Sequence, residues 1–159
     1  GSEMCIRDSY PFYIHYFKKE MLQQMEAQLD YLQAQREGCT LYAADNYTDN
    51  LALPLYFIEK GYTISNATWS SETTTGIETY DLHKDARRVH VVLVHVAEHI
   101  VITPDMLRSI FIENKQSHTP VYITAGTYET AALYDEIVKT NPQLKKVATG
   151  LYQLVLDER

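Results

Sequence analysis

Hydrophobic and polar positions recur along the chain with two periods, one typical of helices and one typical of strands. Over residues 18–37 the apolar positions repeat every three or four residues, which predicts an amphipathic helix with Gln, Glu and Lys on its solvent side. Gly38 is predicted to end this helix as a C-cap. The apolar stripe consists of Met21, Leu22, Met25, Leu29 and Leu32.

The next stretch predicts a strand, a helix and a hairpin. Residues 40–44 form a short apolar run, followed by a polar break rich in helix-capping residues. Residues 51–60 are then predicted to form a helix that Gly61 stops. Residues 62–69 and 77–83 alternate as strands and are separated by a Ser- and Thr-rich loop, which is typical of a hairpin with a loose turn.

The second half of the chain repeats the alternation. Residues 89–102 are dense in β-branched side chains and predict one central, buried strand. Thr103 is predicted to cap a helix whose first residue is Pro104. A strand at 120–124, a helix from 127 or 128 to about 140, and a last strand at 147–156 with an interruption at Gly150 complete the pattern.

This alternation predicts an α/β fold with a mixed β-sheet covered by helices. The charged joint at residues 84–88 is the best candidate boundary. It would separate a first half, residues 10–85, from a second β-α-β-α-β half, residues 86–159, and we expect the halves to share one sheet.

Residues 1–9, GSEMCIRDS, resemble the translated read-through of a common sequencing adapter. We exclude them from the fold, as processing and cloning segments are excluded. A metagenomic contig that begins here is the expected source, and natural sequence is expected to continue upstream of Tyr10. Cys39 is then the sole native thiol, and we interpret it as buried and unreactive because no basic residue adjoins it.

Composition narrows the classes of partner. The formal charge of −7 on 159 residues disfavours nucleic acid, because an acidic domain repels a phosphate backbone. No apolar run reaches the roughly 18 residues of a membrane helix, so no membrane partner is predicted. Two cysteines are too few for a disulfide framework, and the cytoplasm is the default location. The 13 tyrosines suit half-buried positions on sheet faces, or a pocket.

One stretch resembles a known family. The segment LYAADN at 41–46, a helix, and then YFIEKGYT at 56–63 resemble the C-terminal half of GNAT acetyltransferases, chiefly their histone-acetylating branch. In that family a strand ending near Ala-Asp-Asn leads to a helix that closes with an aromatic residue, three further residues and Gly-Phe or Gly-Tyr. The resemblance covers residues 17–84 and implies a GNAT-like first half.

The resemblance implies transfer of an acyl group from acetyl-CoA to an amine. In many members a Tyr on the matched helix protonates the leaving thiolate, and Tyr56 lies one position from that place. Asn46 and Asn50 match positions that approach the cofactor. The Gly-rich loop that holds the cofactor's pyrophosphate is not found, since YIHYFKKE at 13–20 contains no Gly, although Lys18 and Lys19 supply charge there. A truncated or degenerate relative of the family is therefore included in the prediction.

Three other groups of residues are weighed as metal or anion sites, each on a weaker signal. The sequence His95-Val-Ala-Glu98-His99 spells the inverted zinc-peptidase signature, but on a strand Glu98 would point away from both His residues. The acidic residues Asp45, Asp49, Glu59 and Asp81 suggest a metal-dependent cluster, but two of them lie in a polar turn where they are adequate as caps, so no metal is predicted. The turn at 125–127 would present a helix N-terminus to an anion, with one Gly as a weak signal.

The alternative function is a non-catalytic α/β protein that binds a small, nucleotide-like ligand in a pocket lined by Tyr, Trp69 and His, and that forms a homo-oligomer. A viral or mobile-element origin would suit a small acidic protein of this kind. The two hypotheses differ at the sheet. Acyl transfer predicts that strands near Ala44 and Tyr13 splay apart, whereas ligand binding predicts a continuous sheet with its pocket elsewhere.

Overall fold

The structure is a computed structural model that describes residues 19–35, 38–45, 56–70, 76–95 and 101–156, with the backbone alone described at 19–22, 45, 70 and 95. Residues 56–59 form a single helical turn before β2. The remaining elements are α1 (Lys19–Ala34), β1 (Cys39–Asp45), β2 (Thr63–Ser70), β3 (Ile77–Lys84), β4 (Arg87–His95), α2 (Pro104–Asn114), β5 (Val121–Thr124), α3 (Tyr128–Thr140), β6 (Leu144–Ala148) and β7 (Leu151–Leu154).

The strands form one seven-stranded mixed sheet in the order β2-β3-β4-β1-β5-β7-β6. The three central strands, β4, β1 and β5, are parallel to one another. Antiparallel pairs flank them on both sides, β2 and β3 next to β4, and β7 and β6 next to β5. The predicted α/β fold with a mixed sheet is confirmed, and so is the predicted β2–β3 hairpin.

Side chains of the central strands alternate between two hydrophobic cores. Leu41, Val91 and Leu93 pack against α1 and the helical turn, on what we call the α1 face. Their neighbours Tyr42 and Val92 pack against α2 and α3, on what we call the α2 face. The sheet therefore has helices on both faces, which is why these strands read as continuous apolar runs. None of the described helices is both long and apolar enough to cross a membrane.

Local signals placed the helix boundaries of the second half correctly. Thr103 caps α2 by accepting a hydrogen bond from the Met106 amide, with Pro104 in the first turn, and Thr127 caps α3 in the same way. Gly61 ends the helical turn with φ 98°, while Tyr62 N donates to Phe57 O at 3.0 Å. This is the left-handed stop that glycine favours.

Two predictions for α1 are wrong. Gln24 and Gln28 are buried instead of facing solvent. Both side-chain NH2 groups donate to the carbonyl oxygen of Ala125, directly after β5, at 2.7 and 3.0 Å, so these buried donors have a partner within the fold. Gly38 is not a helix cap, because α1 ends at Ala34 and Gly38 directly precedes β1.

Residues 84–88, the candidate boundary between the two halves, contain the tight turn between β3 and β4, where Asp85 adopts φ 56°. Two strand boundaries differ from the sequence prediction. The strand predicted over 89–102 begins at Arg87 and is described to His95, whereas Ile102 lies outside any strand, directly before the α2 cap. The last strand is a hairpin of β6 and β7, and Gly150 with φ 75° lies in its turn.

Tyrosines are more buried than the sequence predicts. Tyr80, Tyr122, Tyr134 and Tyr152 are the largest fully buried side chains. The Tyr134 hydroxyl accepts a hydrogen bond of 2.8 Å from the Ile102 amide, and the Tyr152 hydroxyl lies 2.6 Å from Asp135 Oδ1. The rings of Tyr134 and Tyr152 thus fill core volume while their hydroxyls form hydrogen bonds with other polar groups of the fold.

Candidate functional site

A cavity of about 640 Å³ lies between the α2 face of the sheet and helix α2, and we call it the α2 cavity. Three adjacent strands, β3, β4 and β1, form its floor, and α2 forms one wall. The lining residues are Thr40, Tyr42, Ile77, Thr79, His90, Val92, Val94, Met106, Ser109, Ile110, Glu113 and Asn114. Apolar atoms supply most of this surface, and the polar groups belong to seven of the twelve residues.

The first polar group is the hydroxyl of Tyr42, on β1. Its side chain is 5 % exposed, and the hydroxyl oxygen accepts a hydrogen bond of 3.0 Å from Asn114 Nδ2. Burial raises the pKa of Tyr42, the Asn114 hydrogen bond lowers it, and the Glu113 carboxylate raises it again. The net shift is upward, so Tyr42 is a neutral phenol at physiological pH, with its own hydrogen available to donate.

The second polar group is an array of Asn66, Asp81 and His90. A bulge in β2 places Asn66 at φ 54°, a conformation that Asn tolerates, and its Nδ2 donates to Asp81 Oδ2 at 2.9 Å. His90 Nδ1 lies 2.6 Å from Asp81 Oδ1. Because a carboxylate accepts, the Nδ1 hydrogen of His90 donates to it.

Asp81 is held ionised by these partners. Burial alone would raise the pKa of its carboxyl group, but the hydrogen bonds from Asn66 and His90, with the charges of His90 and Arg88, outweigh that effect. The pKa of Asp81 therefore lies below its ordinary value. Since β3 and β4 pair Asp81 directly with His90, the sheet register itself fixes the array.

Among the described residues, the lining carries acidic and neutral polar groups but neither Lys nor Arg. Within the part of the chain that the structure describes, no three His, Cys, Asp or Glu side chains lie close enough to hold a metal ion. The α2 cavity can therefore enclose an apolar body while offering a phenol donor, an imidazole and a carboxylate at its polar positions.

Tyr56, the predicted catalytic acid, lies on the α1 face and does not line the α2 cavity. Its side chain is 6 % exposed, and the Lys60 ammonium lies 5.2 Å from its ring centroid. Burial raises the pKa of Tyr56, although Lys60 acts in the opposite direction. The sheet thus separates Tyr56 from the α2 cavity.

The predicted cofactor residues have no described side chains. Asn46, Asn50 and Lys18 lie outside the described residues, and Lys19 is described only as the first backbone position of α1. Tyr13 is likewise outside, so the predicted splay between strands is not tested. β1 pairs with β4 from Cys39 to Asp45 and with β5 from Thr40 to Tyr42.

The other candidate site residues from the sequence are not among the described residues that line the α2 cavity. Trp69 pairs with Glu78 on the α1 face and is 59 % exposed. His95 is the last described residue of β4, whereas Glu98 and His99 lie outside the described part. Cys39 is buried as expected, and burial raises the pKa of its thiol to about 12.

The sequence pattern did not indicate that Tyr42, His90 and Glu113 line one cavity. Tyr42 belongs to a short apolar run, and nothing in its local pattern reveals which helix covers it. The available signal was the Asp81–His90 pair, which a hairpin with a two-residue turn at 85–86 brings into register.

Comparison with protein-family models, with curated proteins and with solved structures finds no match for this chain. The functional proposal therefore rests on the fold and on the geometry of the site.

Proposed function

We propose that this protein binds a small organic molecule in the α2 cavity. The observation that carries the proposal is the Tyr42 hydroxyl, which is almost fully buried at an apolar cavity and has no acceptor for its hydrogen among the described residues. A buried donor without an acceptor costs free energy, and a ligand acceptor removes that cost. The volume also suits this use, because small-molecule sites typically enclose about 300–1,000 Å³.

The lining favours the uncharged part of a nucleotide-like ligand over its phosphates. A phosphate in the cavity would lie near Glu113 and close to Asp81, and none of the described lining residues is a Lys or Arg that could compensate it. Val92 on the floor and Ile110 on the wall offer apolar surface to a heterocycle or aromatic ring. The ligand class that the cavity supports best is therefore a compact, largely apolar molecule with one or two polar groups.

The acyltransferase function stays a separate prediction. Its acid, Tyr56, lies on the opposite face of the sheet, so the two functions would use different sites. Thermal unfolding with and without acetyl-CoA tests it, because a ligand at a hundred times its Kd stabilises the native state by about 2.7 kcal/mol. No shift at millimolar acetyl-CoA would end that prediction for this chain.

Ligand binding in the α2 cavity is tested by two-dimensional amide NMR with benzyl alcohol as the probe. We expect saturable shifts at millimolar probe, centred on amides of β1, β3, β4 and α2 around the cavity. Shifts confined to other elements, or none at all, would overturn the proposal.

Two substitutions on α2 test whether benzyl alcohol binds in the α2 cavity. Ser109 is exposed and lines the cavity, so Ser109→Trp fills the space without disturbing the core, and it should abolish the shifts. Ile112 is 63 % exposed on the same helix and does not line the cavity, so Ile112→Trp should bind benzyl alcohol like the unmodified chain. Equal binding by both variants would contradict a site in this cavity.

A further inference from the structure

We infer that the ligand of the α2 cavity is a neutral amide whose N–H and C=O groups lie side by side, as they do in a lactam ring. The inference rests on the proposed function and adds the polar groups of the ligand to it. Two neighbouring groups at the polar end of the cavity carry it, the hydroxyl of Tyr42 and the side-chain oxygen of Asn114. The first can donate a hydrogen bond and the second can accept one.

The Tyr42 hydroxyl requires an acceptor from the ligand. Its oxygen already accepts from Asn114 Nδ2, whereas its own hydrogen has no acceptor among the described residues. The Glu113 carboxylate acts electrostatically on the same phenol. An uncharged carbonyl oxygen is therefore a better acceptor at this position than a carboxylate or a phosphate, which would add a second negative charge beside Glu113.

Asn114 offers the complementary group. Ile110 O can only accept a hydrogen bond, so the atom that contacts it at 2.9 Å is the Asn114 nitrogen, and the other end of the amide is the oxygen. This oxygen, Oδ1, has no hydrogen-bond donor in the part of the chain that the structure describes. The two bonds from Nδ2 hold the amide in place, so Oδ1 stays beside the Tyr42 hydroxyl.

A cyclic amide supplies both partners from one edge. Its C=O can accept from Tyr42 while its N–H donates to Asn114 Oδ1, and Val92 and Ile110 offer apolar surface to the rest of the ring. The ring matters because an open-chain secondary amide is almost always trans, with N–H and C=O on opposite sides. A lactam ring holds the two groups on the same side.

The experiment compares three neutral bicyclic probes of the same size. Oxindole carries C=O and N–H together, 2-indanone keeps only the C=O, and indoline keeps only the N–H. Dissociation constants are measured by amide NMR titration at pH 7.5. We expect oxindole to bind at least about fivefold more tightly than either of the other two, because each of them leaves one polar group of the site without a partner.

Two substitutions assign the preference to the two residues. Asn114→Ala should reduce oxindole to the affinity of 2-indanone and leave 2-indanone unchanged, which also shows that the cavity is intact. Tyr42→Phe should reduce oxindole to the affinity of indoline. Gln116→Ala is the control, since it removes an exposed side-chain amide just beyond α2 that does not line the cavity, and it should keep the fivefold preference.

The outcomes separate this inference from the proposed function. Equal affinity for oxindole and 2-indanone, or a preference for oxindole that survives in Asn114→Ala, would overturn the amide inference and leave ligand binding in place. Failure of all three probes and of benzyl alcohol to bind would overturn the α2 cavity as a binding site, and the inference with it.

Discussion

Asn114, the last residue of α2, donates a hydrogen bond of 3.0 Å from Nδ2 to the hydroxyl oxygen of Tyr42 on β1. The same nitrogen donates to Ile110 O, one turn back along the helix. This pair of bonds fastens the C-terminal end of α2 over the central strand of the sheet. The polar end of the α2 cavity is thus also a support of the fold, and its residues should influence both stability and ligand binding.

Tyr42→Phe tests that double role. The variant removes the acceptor of one Asn114 bond while Asn114 keeps Ile110 O as its partner, so the free energy of unfolding should fall by only about 0.5–1.5 kcal/mol. Urea denaturation measures the change, and the affinity for benzyl alcohol should fall as well. Tyr128→Phe is the control, since Tyr128 is 47 % exposed on α3 and its substitution should change neither quantity. If Tyr42→Phe binds benzyl alcohol with unchanged affinity, the Tyr42 hydroxyl takes no part in ligand binding.

The lowered pKa of Asp81 predicts that the free energy of unfolding falls at acidic pH. Because the folded pKa of Asp81 lies below the ordinary value of 3.8, its contribution to stability is present above pH 3.8 and is lost as the pH falls through the folded pKa. Asp81→Asn should therefore be less stable than the unmodified chain near neutral pH, with the difference shrinking below pH 3.8. The difference should stay under about 1 kcal/mol, because the pair is partly exposed to solvent.

Urea unfolding between pH 2.5 and 7 measures the Asp81 effect. Glu113→Gln is the matched control, since Glu113 has no ion pair in the described part of the chain and its substitution should leave the shape of the curve unchanged. A stability difference for Asp81→Asn that stays constant down to pH 2.5 would mean that Asn66 and His90 do not stabilise the ionised carboxylate.

Much of the fold follows from local signals, and its exceptions follow from distant contacts. Thr103 and Thr127 were predictable as caps because a cap depends on residues two or three positions away. Gln24 and Gln28 were not, because their partner Ala125 lies about a hundred residues along the chain. A periodic pattern predicts that Gln faces solvent. Only the tertiary structure shows that the Ala125 carbonyl oxygen accepts hydrogen bonds from both buried glutamines.

The site was less predictable than the fold for the same reason. The family resemblance directed attention to Tyr56, which belongs to a well-defined local motif. The α2 cavity instead joins Tyr42 to Glu113 across roughly half the chain, through a parallel strand order that no local pattern encodes. Strand order is fixed by which crossovers bury the most apolar surface together, so a site built across several strands emerges only with the assembled sheet.

Tyr134→Phe should be more costly than Tyr42→Phe. The Tyr134 hydroxyl is the acceptor for the buried Ile102 amide at 2.8 Å, just before α2 begins. Without it the amide is left without a partner in the core, which costs about 1–3 kcal/mol. Urea denaturation measures the loss, with Tyr128→Phe again as the control. Hydrogen exchange at the Ile102 amide should accelerate strongly in the variant, and an unchanged exchange rate would show that the hydroxyl does not protect it.

Gly150 and Gly61 offer a matched pair of substitutions, because both adopt positive φ, 75° and 98°. At Gly61 an added Cβ would meet only the flexible Lys84 side chain, at 3.4 Å, so Gly61→Ala should cost about 1–2 kcal/mol of backbone strain. At Gly150 the Cβ would lie 2.6 Å from Nε2 of both Gln24 and Gln28, whose amides are held on Ala125 O.

Gly150→Ala should therefore introduce backbone strain and also disturb the hydrogen bonds that fasten α1 to the sheet, so the free energy of unfolding should fall by about 3 kcal/mol or more. Urea unfolding of both variants gives the comparison. In a double-mutant cycle with Gln24→Ala, the two losses should sum to at least about 1 kcal/mol more than the double variant shows, because removing Gln24 relieves part of the clash. Equal losses for Gly150→Ala and Gly61→Ala would mean that the buried glutamines yield without cost, and that α1 is held to the sheet by its apolar stripe alone.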